Sequence, residues 1–300
     1  MATEFATLTR RDFLRGATFA TVAATMGIPA LHAEESDSSL PRSRVVLIRD
    51  EKIFSDNGEL DPTRVRQMLN SAVATYFETE DAVTAWQRVV KPQDIVGVKT
   101  NGWGPLPTPK EFEQAIRDAV LGAGVKEENL AIQDRGVLNN PIFQKSTALI
   151  NIRPMRTHHW SGVGGLMKNY IMFTPNPPDY HADACADLAK LWELPIVKGK
   201  TRLNILVLLS PLFHGIGPHH FDREFTWRYN GILVGEDPVA LDSTGVRIIE
   251  AKRKEYFGEE RPLKPAAHHI AYAEIRHHLG VADPKRIDLI RLGWEEGGLI

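Results

Sequence analysis

The sequence predicts an α/β layered domain with a mostly parallel central sheet and helices on both faces. Short apolar runs alternate with amphipathic segments after about residue 42. Apolar runs of this kind are typical of parallel strands that are buried on both faces, and helices usually connect such strands. The composition agrees with this fold class, because 43% hydrophobic and 25% charged residues are typical of a soluble globular protein.

Six apolar runs are predicted as strands, and the segments that separate them as helices. The predicted strands cover residues 44–49, 94–99, 129–134, 148–152, 203–210 and 231–235. The predicted helices cover residues 62–77, 81–90, 182–192, 238–254 and 266–279, and a further helix begins at a capping box, Thr108-Pro-Lys-Glu111. Asp237 followed by Pro238 predicts an N-cap. Residues 154–180 are expected to form a long irregular loop insert, and such loops are often functional.

The N-terminus predicts export by the twin-arginine route. Arg10-Arg11 precedes Phe13-Leu14 and a weakly apolar stretch rich in Ala, Thr and Gly. We therefore expect a signal peptide at 1–33, a linker at 34–43, a single α/β domain at 44–300 and a periplasmic location. The apolar stretch is too short and too mild to span a bilayer of roughly 30 Å, so no stable membrane span is expected after cleavage. Retention of the segment as an uncleaved anchor is the alternative.

Charge and cysteine content exclude several classes of partner and cofactor. The formal net charge is −2, which gives no electrostatic footprint for nucleic acid. The single cysteine, Cys185, excludes an internal disulfide and an iron–sulfur cluster held by about four thiolates. Its small-residue surroundings favour a buried structural thiol.

Polar residues follow the predicted strands, where parallel sheets collect ligands. Lys99 and Asn101 follow the second strand, and Arg156 lies beyond the fourth. Further along, a glycine-containing turn leads from His158 to Lys168-Asn169. We expect Lys99, Asn101, Arg156 and Asn169 to bind a small anion, with the backbone of the glycine turn approaching the same ligand. The turn lacks the Gly-x-x-x-x-Gly-Lys-Ser/Thr pattern of a phosphate-binding P-loop.

Histidines in predicted loops are candidates for catalysis or for metal binding. His158, His181 and Lys168 are the candidate catalytic residues, because imidazole moves protons near neutral pH. His158, His181 and His214 with Asp242 are the candidate ligands of a divalent metal, although no His-Glu-x-x-His spacing supports them. The cofactor is otherwise unknown. The pairs His268-His269 and His277-His278 are expected to have surface or capping roles.

Four segments together resemble the family catalogued as domain of unknown function 362. They are Val96-Gly-Val-Lys99-x-Asn101, Leu149-Ile-Asn151 through Arg156-x-His158 to Lys168-Asn169, Tyr180-His181 with Asp187-Leu188, and Gly235-x-Asp237-Pro238-x-Ala240-x-Asp242. The resemblance covers roughly residues 94–250. The chain departs from the family at Arg156, where a lysine is usual, at Ser210, where an acid is common, and in lacking the ferredoxin-like module of many relatives. The arginine keeps the charge but cannot form a Schiff base.

Two functions from different classes fit these residues. The first is an enzyme of the lyase, isomerase or hydrolase kind that acts on a small anionic substrate, with lysine and arginine neutralising the anion and a histidine moving a proton. A distant similarity to the nickel-pincer lactate racemases makes isomerisation of a 2-hydroxy acid one version of it. The second is a non-catalytic periplasmic accessory protein that holds an anion or a metal. The sequence does not separate the two.

Overall fold

Residues 40–215 and 221–300, which the computed structural model describes, contain an eight-stranded sheet that is mostly parallel. The strands are β1 (Ser43–Arg49), β2 (Val96–Lys99), β3 (Leu130–Gln133), β4 (Ala148–His158), β5 (Gly162–Gly164), β6 (Thr201–Leu212), β7 (Gly231–Gly235) and β8 (Ile287–Gly293). Their order is β3-β2-β4-β6-β7-β1-β8, and β5 pairs with β4 beside this row. Within the row β7 runs antiparallel to both neighbours, and the other pairings are parallel. The predicted fold class is confirmed.

Helices cover both faces of the sheet. They are α1 (Pro62–Tyr76), α2 (Ala82–Val89), α3 (Lys110–Gly122), α4 (Pro141–Gln144), α5 (Leu166–Asn169), α6 (Ala182–Cys185), α7 (Pro238–Phe257) and α8 (His268–His277). Apolar side chains of α1, α2 and α3 form one core with one face of the sheet. Those of α4, α5, α7 and α8 form a second core on the opposite face. Residues 41–300 form one compact unit, and no helix of the described residues is long and apolar enough to cross a membrane.

Local capping agrees with the sequence at one helix and differs at another. The Asp237 side chain accepts hydrogen bonds from the first backbone N–H groups of α7, as its position before Pro238 predicts. The capping box at Thr108 is wrong. Helix α3 begins at Lys110 without a side-chain cap, and the Thr108 hydroxyl accepts the Asn101 N–H instead, at 2.9 Å. This bond holds the loop that follows β2.

The structure differs from the sequence-based prediction in three further segments. Residues 154–180 contain the end of β4, strand β5, helix α5 and short 3-10 turns where a long irregular loop is predicted, because β4 continues into a hairpin with β5. The predicted helix at 182–192 is wrong. Asp183, Ala184 and Cys185 have left-handed φ angles of 46°, 53° and 63°, and a 3-10 turn (Leu188–Glu193) follows. Strand β8 has no counterpart in the prediction.

The connections around β2 create a crevice at the carboxyl edge of the sheet. Helix α3 connects β2 to β3 across one face, and α4 lies between β3 and β4 on the other. Helices that leave neighbouring strands on opposite faces open a space beyond the strand ends, where α/β proteins bind ligands. The residues of interest lie at the ends of β2 and β3 and on the second half of β4.

Candidate functional site

Four buried cationic side chains, here called the cation cluster, lie at this edge of the sheet. They are Lys99 at the end of β2, Arg153 and Arg156 on β4, and Lys168 on α5, and they are 0%, 3%, 4% and 4% exposed. The positive charges act on one another, since Arg153 lowers the pKa of each of the other three. Lysine and arginine are almost never fully buried without a partner. The contacts of each side chain therefore show how its charge is balanced.

Lys99 is balanced by a carboxylate of the protein itself. Its Nζ donates to Asp134 Oδ1 and to the Thr100 carbonyl, both at 2.6 Å. Burial lowers the pKa of Lys99 to about 8, although Asp134 acts in the opposite direction. Burial acts to raise the pKa of Asp134, but the Lys99 ammonium, the Gly102 N–H and Arg153 together outweigh it, so the pKa lies below its ordinary value. The predicted anion ligand Lys99 thus forms an internal ion pair.

Arg153 and Arg156 meet at Gly164 of β5. A Cβ added to this glycine would lie 2.7 Å from Arg153 Nη2 and 3.5 Å from Arg156 Cγ. The absence of a side chain at this position leaves room for the Arg153 guanidinium against the hairpin. Neither Nε atom has a hydrogen-bond partner among the described residues. Burial, followed by the neighbouring Arg153, lowers the pKa of Arg156 to about 8.

Arg156 also reaches the rim of the cluster. Its Nη1 donates to Asn101 Oδ1 at 3.1 Å, and its guanidinium lies 4.4 Å from the centroid of the Trp103 ring. A cation over an aromatic face is attracted by the ring quadrupole. Trp103 is partly exposed, so this end of the cluster lies beside solvent.

Lys168 contacts a thiol where a carboxylate would be expected. Its Nζ lies 3.4 Å from Cys185 Sγ, and the thiol is buried. Burial lowers the pKa of Lys168 to about 8 and raises the pKa of Cys185, which keeps the thiol protonated near neutral pH. A neutral thiol is a weak hydrogen-bond acceptor. Lys168 therefore retains a charge that nothing among the described residues neutralises.

Asn169, which is predicted to bind the anion, holds parts of the site together. Asn169 Nδ2 donates to Lys99 O at 3.1 Å, to Asn151 Oδ1 at 2.8 Å and to Ile152 O at 3.2 Å. It thereby ties α5 to the end of β2 and to the middle of β4. Asn151 in turn donates to Asn204 Oδ1 at 2.9 Å. These bonds use the amide nitrogen of Asn169, so its place in the structure is that of a positioning residue.

Both carboxylate oxygens of Asp242 are hydrogen-bonded to the protein backbone. It is fully buried on α7, and its two oxygens accept the N–H groups of Leu166 and Met167 at 2.7 and 2.9 Å. Burial raises the pKa of Asp242 to about 7. A Cβ on Gly165 would lie 2.2 Å from Asp242 Oδ1. The glycine turn predicted to approach an anion thus makes room for Arg153 and Asp242.

His158 and His181 lie beside the cation cluster as neutral rings. Burial, followed by the charge of Lys168, lowers the pKa of both, in His181 to about 4. The Trp160 N–H donates to His158 Nδ1 at 3.2 Å, so the proton of the neutral ring is on Nε2. His158 can donate a hydrogen bond to an anion from Nε2, and this tautomer leaves no free lone pair for a general base. The His181 ring lies 4.2 Å from that of Trp160, at the partly exposed rim.

The predicted metal ligands do not come together. His214 contacts Arg253 Nη1 at 3.1 Å, toward the C-terminal end of α7. Asp242 precedes Arg253 by eleven residues on this helix, about 16 Å along its axis. Within residues 40–215 and 221–300, no group of three or more His, Cys, Asp or Glu side chains is placed to hold a metal ion.

One buried residue beside the cluster is missed by the sequence analysis. His269 on α8 is 0% exposed, and neither ring nitrogen has a hydrogen-bond partner among the residues described. The prediction of a surface or capping role for it is therefore wrong. Burial, followed by Lys168, lowers its pKa to about 3. Asn151 and Asn204 are also missed, although a polar side chain that interrupts an otherwise apolar strand is a signal for a buried hydrogen bond.

A separate cavity of about 580 Å³ lies by the ends of β1 and β8 and contains no predicted site residue. Its buried and half-buried charged groups have partners, because Arg64 pairs with Asp50 at 2.9 Å and Arg49 donates to Tyr229 O at 2.9 Å. Strand β1 lies three strand spacings from β4, about 14 Å. The cation cluster, by contrast, has buried arginine Nε atoms without a hydrogen-bond partner among the described residues.

A family model described as a domain of unknown function matches residues 126–247. Arg153, Arg156, Lys168 and Asp242 lie within the match, whereas Lys99 and His269 lie outside it. Comparisons with curated proteins and with solved structures give no significant match. The match confirms the resemblance to domain of unknown function 362 over residues 126–247.

Proposed function

We propose that this protein binds a small anion in the cation cluster. The observation that carries the proposal concerns Arg156 and Lys168. Each is 4% exposed, and neither contacts a carboxylate among the described residues. Leaving a buried charge unbalanced costs several kcal/mol. A bound anion offsets this cost and accepts hydrogen bonds from the Arg156 Nε and from Lys168.

The proposed anion is held mainly by charge-assisted hydrogen bonds. Arginine presents a planar fork that matches the oxygens of carboxylate or phosphate, and lysine adds a compact charge. His158 contributes a neutral donor through Nε2. Lys99, Asn169 and Asp242 act indirectly, because each is bonded to other parts of the protein and fixes the position of the groups that bind.

The place of action that we propose is the periplasm, after export by the twin-arginine machinery. Support for this part comes from the sequence of residues 1–33, which lie outside the described residues. Arg10-Arg11 before an Ala-rich apolar stretch is the pattern that this route reads. Proteins on this route cross the membrane folded, so an assembled site would arrive intact. Cell fractionation of the wild type and of a variant with both arginines replaced by lysine tests this part, and equal amounts in the periplasm would contradict it.

Thermal unfolding in the presence of anions tests the binding proposal. At constant ionic strength, inorganic phosphate should raise the Tm of the purified protein by several degrees at saturation, because a ligand of the folded state stabilises it by about 2.7 kcal/mol at 100 times Kd. Arg156→Met should lose most of this rise. The control Lys126→Met removes an exposed charge, 71% accessible, and should keep it. An undiminished rise in the Arg156 variant would refute the proposed site.

Catalysis on the bound anion is the second candidate, and one observation favours it. The pKa of Lys168 is lowered to about 8, so a fraction of its amine is neutral near physiological pH. A buried lysine of this kind can accept a proton from a ligand or attack a carbonyl carbon. Proton transfer is tested by incubating the protein with lactate in D₂O and measuring how fast carbon-bound hydrogen of lactate is replaced by deuterium. Exchange that persists in Lys168→Met would contradict it.

A further inference from the structure

We infer that the cation cluster accepts an anion with two negative charges rather than one. This inference rests on the proposed function and names the class of its ligand, which is a dicarboxylate or another doubly charged oxyanion. It follows from the balance of buried charges at the site. The balance can be read pair by pair from the contacts of each side chain.

Two of the four cations have a carboxylate counterpart in the protein. Lys99 is paired with Asp134 at 2.6 Å. The Arg153 side chain packs against Gly164, and the Asp242 side chain packs against Gly165. The two side chains therefore contact adjacent residues of one turn. Asp242 is the carboxylate that acts most strongly on Arg153. When both are ionised, these two carboxylates balance at most two of the four positive charges.

The other two cations have no such counterpart within the described part of the chain. Arg156 is bonded to the neutral amide of Asn101 and lies over the Trp103 ring, with its Nε unpartnered. Lys168 is bonded to the neutral thiol of Cys185. Both side chains are 96% buried, so solvent does little to screen them. Two buried positive charges thus remain for the ligand to neutralise.

A singly charged ligand would leave one of these cations unbalanced. A second carboxylate or phosphoryl charge gains a charge-assisted hydrogen bond in a site that excludes water. We expect the dianion to bind roughly tenfold more tightly or better than a monoanion of the same shape. Arg156 and Lys168 then determine specificity for the charge of the ligand.

Calorimetric titration with a matched pair of probes tests this inference. Malonate and monomethyl malonate have nearly the same shape and differ by one negative charge at pH 7. At constant ionic strength, the wild type and Lys126→Met should prefer malonate by roughly tenfold or more. Arg156→Met should bind the two probes about equally, because a single unbalanced cation remains. Lys168→Met gives the same test if the arginine variant does not fold.

The outcomes separate the two levels of the proposal. Equal binding of malonate and its monoester to the wild type would overturn the inference and leave anion binding intact. Binding of neither probe would overturn both. A malonate preference that is undiminished in Arg156→Met and in Lys168→Met would also overturn the inference, because the second charge would then be recognised elsewhere.

Discussion

Replacing Lys168 by methionine removes a buried cation that has no carboxylate partner among the described residues and leaves a side chain of similar length. Without a ligand, the wild type holds this ammonium 96% buried against a neutral thiol. The methionine variant has no charge to bury, and it loses one weak hydrogen bond to Cys185. We therefore expect the ligand-free variant to be more stable than the wild type at pH 7.

The size of this stability difference follows from its pH dependence. The pKa of Lys168 is about 8 in the folded protein and 10.5 for an ordinary lysine. Between these values the unfolded chain binds more protons than the folded protein, so the free energy of unfolding of the wild type rises with pH. The difference between 8 and 10.5 corresponds to about 3 kcal/mol. The advantage of Lys168→Met should be complete below pH 8 and should shrink by about 3 kcal/mol by pH 10.5.

Urea denaturation at pH 7 and at pH 10.5 measures this change. Comparing variant with wild type at each pH cancels the titration of groups that both proteins share. Lys126→Met is the matched control, because Lys126 is 71% exposed and folding hardly changes its solvation. If the difference between Lys168→Met and wild type were the same at both pH values, the assignment of Lys168 as a buried and unbalanced cation would be refuted.

Three other substitutions test the structure around the cluster. Asp242→Asn should lower the free energy of unfolding by about 1–3 kcal/mol, measured by urea denaturation. The asparagine amide nitrogen cannot accept a hydrogen bond, so one of the N–H groups of Leu166 and Met167 would lose its partner. Unchanged stability would contradict the role of Asp242 in bonding these two N–H groups. His269→Leu should raise the free energy of unfolding by about 1 kcal/mol in the same assay, because it removes two buried nitrogens without partners in the described structure. A clear loss of stability would show that His269 forms hydrogen bonds in solution. Gly165→Ala should lower the free energy of unfolding by about 1–3 kcal/mol, and with it the Tm, because the added methyl group would lie 2.2 Å from Asp242 Oδ1. An unaltered Tm would show that this contact is looser.

The proximity of some site residues could be predicted from the sequence, because the geometry of parallel sheets determines it. Lys99 and Arg156 belong to strands whose carboxyl ends share an edge, so apolar runs followed by charged residues were sufficient to bring them together. Lys168 was expected nearby from the glycine-containing turn that follows His158, but the hairpin of β4 with β5 that leads to it was not predicted. Burial of these side chains was not predictable, since it depends on helices that approach from elsewhere in the chain.

The roles of Asn169, Asp242 and His269 could not be derived from local sequence. Asp242 accepts N–H groups of residues more than seventy positions earlier, and Asn169 joins strands that the sequence separates. His269 carries the periodicity of an ordinary helix, and the charges that act on it, Lys168 and Arg153, come from much earlier in the chain. A left-handed turn at Cys185 likewise breaks a segment whose composition favours a helix, because only tertiary packing holds such φ angles in non-glycine residues.

Locating a bound anion is the most direct measurement. Crystals of the purified protein soaked in selenate, a dianion with an anomalous scatterer, would show where the ligand binds. We predict an anomalous peak within hydrogen-bonding distance, about 3 Å, of both the Arg156 guanidinium and the Lys168 ammonium. An ordered and empty cation cluster, with selenate confined to the exterior of the protein, would contradict the proposed site.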